Sequence, residues 1–172
     1  GGLAPPVFGT ACCFHQVHLT ELKGWSLEGF AALFALYVAV AVPATFAAGW
    51  AADRFGGARV LALWPGLLAA GLAVAALFLP FWAAALARAI LGARQGFGSA
   101  ASGAFWPEIY GTRNLGSIRA LVTSSMVFAT AVGPGVSGWL IDLGVGFEAQ
   151  LLGMAAWSAA MAASFAWIGV RV

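Results

Sequence analysis

Apolar residues along this chain neither alternate nor recur on one helical face; they come in unbroken runs. Four runs carry no charged residue: Gly29–Ala52, Val60–Phe81, Ala120–Ile141 and Ala149–Val170. Each meets the roughly 20 residues that a helix needs to cross a hydrocarbon core. Between the runs, charge, Pro and Gly cluster in "LTELKGWSLEG" (19–29), "ADRFGGAR" (52–59), "LP" (79–80), "EIYGTRNLGSIR" (108–119) and "DLGVGFE" (142–148). The pattern predicts an all-α membrane protein of six transmembrane helices, over 3–19, 27–50, 60–79, 81–106, 117–141 and 147–169. Loops this short make neighbouring helices antiparallel.

Composition agrees. Of 172 residues 62% are hydrophobic and 8% charged, whereas about 25% charged is usual in a soluble domain. The net charge of +2 is spread in ones and twos, which leaves no basic patch for nucleic acid. Cys12 and Cys13 are adjacent and read as small apolar residues, with no ordinary bridge between them. The opening "GGLAPPVFG" has neither Met nor a basic stretch, so it is no signal peptide and reads as a cut inside a longer chain.

Orientation follows from the basic residues. Arg54, Arg59, Arg113, Arg119 and Arg171 collect on one face and Lys23 alone on the other. The positive-inside rule makes the arginine face, and with it the C-terminus, cytoplasmic in an inner (plasma) membrane. Trp25, Trp82 and Trp139 fall near outer ends, and Trp50, Trp106 and Trp167 near inner ones, as interface belts do. "AGWAADRFGGARVL" (48–61) and "SGWLIDLGVGFEAQ" (137–150) share small-Gly-Trp-x-x-Asp and a following Gly. They close the second and fifth helices, which points to a 3+3 inverted repeat, a device of secondary transporters.

The segment "GWAADRFGGAR" resembles the Gly-x-x-x-Asp-Arg-x-Gly loop signature of the major facilitator superfamily, at Gly49, Asp53, Arg54 and Gly56. The family's following basic pair is thinner here, with Arg59 one position late. "RAILGARQG" is similar to the family's Arg-x-x-x-Gly helix motif, at Arg88 and Gly92, and "FWPEIYGTRNLGSIRA" (105–120) and "VGPGVSGWLID" (132–142) resemble its later loops. The resemblance covers essentially the whole chain, as helices seven to twelve of a twelve-helix transporter. It implies a secondary transporter of a small solute working by alternating access, with H+ or another coupling ion, and a missing N-terminal six-helix half as partner. It implies no cofactor, no metal and no enzyme. The Asp53 loop, with Arg54 and Arg59, is then a conformational latch, and its glycines permit close helix approach. Gly133, Pro134 and Gly135 read as a helix bend, either packing or rocking in purpose.

Polar side chains are unevenly placed. Val60–Phe78 has only the Trp64 indole, and 151–169 only Ser158, Ser164 and two indoles. The first helix carries Thr10, His15 and Gln16, and the fourth carries Arg88, Arg94, Gln95, Ser99 and Ser102. In the family those two helices line the central cavity, while the third and sixth face lipid. At about 100° per residue, Arg88, Gln95, Ser99 and Ser102 fall within about 60° on one side, a stripe that must face protein or water. Arg94 lies about 120° away, with snorkelling towards the headgroups as the plain alternative. A charge at that depth costs at least ~2.5 kcal/mol. The expected substrate-binding set is therefore Arg88, Arg94, Gln95, Ser99, His15 and Gln16. Helix centres hold no Asp or Glu, so the site favours an organic anion such as a monocarboxylate, which guanidinium binds through two parallel hydrogen bonds.

Two other readings compete. "GVSG" (135–138) matches the Gly-x-Ser-Gly of six-helix intramembrane serine proteases, with Ser137 as nucleophile, but no His follows residue 18. A non-transporting membrane protein of the same fold is the other.

Overall fold

The computed structural model describes residues 4–111 and 113–169; the side chains at 4, 5, 16, 58, 61, 62, 101, 104, 108, 109, 168 and 169 lie outside that description. Seven helices follow in order: α1 Ala4–Phe14, α2 Gln16–Lys23, α3 Leu27–Phe55, α4 Gly57–Leu77, α5 Phe81–Tyr110, α6 Leu115–Asp142 and α7 Phe147–Gly169. The predicted first helix is thus two, broken at His15 (φ −94°, ψ 18°). Helices α3 and α5 run four or five residues beyond their predicted ends, because Asp53–Phe55 and Pro107–Tyr110 continue the backbone ladder past the apolar run. Three described helices, Leu27–Phe55, Leu115–Asp142 and Phe147–Trp167, are long and apolar enough to cross a membrane.

Local chemistry sets the ends. Ser26 caps α3, its Oγ accepting from the Gly29 amide at 3.2 Å, and Glu28 sits in the positively polarised first turn. Gly56, at φ 88° and ψ 145°, is the single residue between α3 and α4. No side chain tolerates that backbone well, so the Gly of "DRFG" is there for the turn.

At one end of the bundle three loops are tied together. Lys23 is buried, and its ammonium donates to the Ala76 carbonyl in the last turn of α4 at 2.9 Å and pairs with Glu148 in the first turn of α7. The Trp25 indole N–H donates to the Leu79 carbonyl at 2.6 Å, and its ring stacks on Phe30. A cation at a helix C-terminus and an anion at an N-terminus both oppose the helix dipoles. Glu148→Gln would strip the buried ammonium of its counter-charge, and is expected to cost about 1–3 kcal/mol. A lower melting temperature of the purified protein checks it.

Below this cap lies the main apolar core, built by Leu68 and Leu72 of α4, Ala84 and Ala87 of α5 and Phe147, Leu151 and Ala155 of α7. A smaller cluster of Ala48, Ala52 and Val60 lies at the α3–α4 turn. Helix α3 packs along α5, α4 against both α5 and α7, and α1 along α6. The α3–α5 contact is unusually close. A Cβ on Gly92 would run into the Tyr37 carbonyl, and one on Gly96 would lie 2.6 Å from the Ala41 oxygen and the Thr45 nitrogen. These are backbone-to-backbone approaches that only glycine permits.

Candidate functional site

The α3–α5 approach is what places the arginines. Because Gly92 seats α5 on Tyr37, Arg88 one turn earlier is laid against the preceding turns of α3. Its guanidinium carbon lies 4.5 Å from the Phe30 ring centroid and 4.1 Å from that of Phe34. Two aromatic faces partly replace the solvation that the charge has lost. Arg88 is only 6% exposed.

Six residues on, about 9 Å along the axis, Arg94 is equally buried at 8%. It does not snorkel. Its guanidinium lies 5.3 Å from the Trp64 ring centroid of α4, and among the described residues it has neither a hydrogen bond nor an ion pair. Its Nε is buried without an acceptor, and so is the Trp64 Nε1.

Both arginines open onto one cavity of about 470 Å³. Gln95, Ser99 and Ser102 line it from α5, Thr10, Cys12 and Cys13 from α1, Tyr37 from α3, and Trp64, Leu68 and Leu72 from α4. The expected polar stripe is therefore brought together, and Arg94 joins it although it projects from another side of the helix. The cavity wraps around α5 because α4 packs on that second side. Gln95 and Ser99 are exposed and the arginines are not, so the charges sit at the cavity's inner wall. The serine hydroxyls are spent locally: Ser99 donates to the Gly96 carbonyl at 2.9 Å and Ser102 to that of Ser99 at 3.2 Å. Thr10 likewise donates to Pro6 at 2.6 Å. Among the described residues the polar groups of the cavity wall left without a partner include Arg94 Nε and Trp64 Nε1.

Other expected residues lie elsewhere. His15 does not line the cavity; at the α1–α2 break its Nε2–H donates to the Pro134 carbonyl of α6 at 3.2 Å, and its ring meets Phe147 at 5.6 Å. The Gln16 side chain lies outside the described residues. Helix α6 continues as one helix through Gly133, Pro134 and Gly135. Gly133 takes the packing part: a Cβ there would strike the Val7 carbonyl of α1. Asp53, Arg54 and Arg59 are exposed, and Asp53 has no ion pair among the described residues. Arg54 lies over the rings of Trp50 and Phe55 instead, at 5.7 and 5.8 Å. The close approach expected at Gly49 does not occur. No described atom comes within 4 Å of an added Cβ there, because that face of α3 has no helix packed on it.

Ser137 is buried between α6 and α7, where its hydroxyl donates to Gln150 Oε1 at 2.7 Å. The Gln150 amide nitrogen returns bonds to the Ser137 and Val145 carbonyls. Among the described residues the partner of the Ser137 hydroxyl is this amide, not a base. The pair is interhelical glue, of the kind that averages about 0.6 kcal/mol in membranes.

The profile of the Major Facilitator Superfamily matches residues 8–172. That span takes in α2 to α7, most of α1 and the motifs described above. The chain belongs to the Major Facilitator Superfamily. As a member it is a multi-pass membrane protein of a transporter family. Neither a curated protein nor a solved structure gives a significant match.

Sequence reasoning on this facilitator chain missed four lining or caging residues: Phe30, Phe34, Tyr37 and Trp64. It also set α4 towards lipid, whereas Trp64, Leu68 and Leu72 face the cavity. A signal for Trp64 existed, as its indole is the one polar group in Val60–Phe78. Nothing in the spacing of the three α3 aromatics separates them from lipid-facing neighbours.

Proposed function

We propose that the chain is the C-terminal six-helix half, helices seven to twelve, of a facilitator that carries a small organic anion, such as a monocarboxylate, by alternating access. The observation that carries the anion is Arg94: a buried guanidinium on the cavity wall with no described counter-charge or acceptor. An unmatched buried cation is among the costliest arrangements in a protein, and an anion entering the cavity relieves it. Arg88, held about 9 Å away, adds positive potential in a low-dielectric surround. Gln95 and Ser99 line the entry side; His15 and Gln16 belong to the broken first helix, where the Pro134 contact couples that helix to α6. A proton or another ion coupled to transport would bind in the other half, because helix centres here hold no carboxylate.

The repeat finds support in pairing. Exchanging α1–α4 with α5–α7 maps the α3–α5 contact onto the α6–α1 contact and α4–α7 onto itself, whereas the close α4–α5 contact has no equally close α7–α1 counterpart. On this reading the exposed Asp53, Arg54 and Arg59 meet their latch partner in another state or on the other half, with Gly49 and Gly56 at the turn.

The test of the anion is uptake into proteoliposomes holding the full-length transporter. Acetate, lactate and succinate are offered against a matched cation, choline. Saturable carboxylate uptake is expected; choline uptake without it overturns the reading. The membrane orientation is tested separately by cysteine labelling in cells. Cysteines at Arg59 and Arg113 are expected to react only from the cytoplasm, and those at Glu21 and Asp142 only from outside. Labelling of Arg59 and Glu21 from one side breaks the topology.

A further inference from the structure

We infer that Trp64 is a second hydrogen-bond donor to the transported anion, set beside Arg94; this rests on the anion reading above. Trp64 carries the only polar group in residues 60–77 of α4. Its indole nitrogen is buried with no acceptor among the described residues, and the one other buried side-chain atom in that condition is Arg94 Nε. The two side chains touch, guanidinium over indole at 5.3 Å, and both line the same cavity. Two unmatched N–H groups on contacting side chains that line one cavity suit a single group with two acceptor oxygens. A carboxylate has that form, with about four lone-pair sites.

No acceptor among the described residues meets the indole N–H. The nitrogen edge of the ring lies against Gly98 of α5: the indole nitrogen is the atom nearest to where a Cβ would stand, followed by Cε2 at 2.8 Å and Cδ1 at 2.9 Å. Glycine there brings bare helix backbone against the ring and offers no side-chain acceptor. The nearby Ser99 hydroxyl donates to Gly96. A buried N–H left unmatched costs free energy that an acceptor recovers, so the ligand-free arrangement is the less satisfied one. A small rotation of the ring off Gly98 turns the N–H into the cavity when an acceptor is present. Because indole only donates, and Arg94 beside it is cationic, the pair selects for anions and against both cations and neutral donors.

The experiment compares wild-type and Trp64→Phe full-length transporter, purified in detergent, by calorimetric titration with acetate, lactate and succinate. Phe keeps the ring under Arg94 and removes the N–H alone. The expected result is a Kd weakened about tenfold for whichever carboxylate the wild type binds, as for loss of one hydrogen bond to a charged group. The ligand-free melting temperature should not fall, since no bond is lost in that state. A wild-type Kd in Trp64→Phe overturns the inference. Arg94→Gln separates the two claims: if it abolishes binding while Trp64→Phe does not weaken it, the anion reading stands and the role of Trp64 falls. No binding of any of the three by wild type overturns both. Should Trp64→Phe fail to fold, indole-¹⁵N-labelled wild type is titrated instead. One indole N–H proton is expected to move downfield at saturating carboxylate, and no movement overturns the inference.

Discussion

Replacing Arg94 by Gln in the full-length transporter is expected to abolish anion uptake while leaving insertion intact. A guanidinium–carboxylate fork supplies two charge-assisted bonds, each worth about 1.5–3 kcal/mol. Losing both corresponds to roughly 100-fold or more in uptake at limiting substrate. Arg94→Lys is expected to recover only a fraction, because a point charge on a flexible stem cannot reproduce the planar fork. Sequence position alone ranks Arg88 first, as a member of the polar stripe. We propose the opposite order, since Arg88 is caged between Phe30 and Phe34 whereas the ring contact of Arg94 is the Trp64 face. Arg88→Gln should therefore reduce uptake less than Arg94→Gln, acting through the potential of the cavity. Proteoliposome uptake normalised to inserted protein measures all three. Normal uptake by Arg94→Gln would remove the basis of the anion assignment.

The largest effect on stability is expected from Gly96→Val. A Cβ at this position already meets the Ala41 oxygen and the Thr45 nitrogen at 2.6 Å and the Ala44 Cβ at 2.7 Å. None of these is a flexible side-chain end; two are backbone. The α3–α5 pair must separate to admit the new atoms, which breaks the contact that holds Arg88 on Phe30 and Phe34. Overpacking costs about 1–3 kcal/mol where side chains can move, and here they cannot, so about 4 kcal/mol or more is expected. Loss of the monodisperse peak in size-exclusion chromatography of the detergent-solubilised protein would register it. Gly49→Val is the control. Its Cβ meets no described atom within 4 Å, and because Val is a slightly better helix former than Gly the change should be close to neutral, within about 1 kcal/mol.

Much of this protein is written in its composition. Four charge-free runs of about 20 residues and loops marked by charge, Pro and Gly determine where the helices are, because a bilayer accepts few other structures. The order and spacing of the Asp53–Arg54–Gly56 turn, the Arg88–Gly92 pair and the later loops carried the family. The polar stripe of Arg88, Gln95 and Ser99 announced a cavity, since such a stripe is not left in lipid. Periodicity gives directions on one helix but says nothing of what stands opposite. That Arg94 shares the cavity depends on α4 lying against that second side of α5, and Trp64 enters the site for the same reason. That His15 serves the α1–α6 contact depends on a helix break that no Pro or Gly marks. Gly49 and Gly96 look alike in the sequence, yet one faces open space and the other a neighbouring backbone. Such differences come from helix pairing, and pairing is fixed by the sum of many close contacts between distant segments rather than by any one of them.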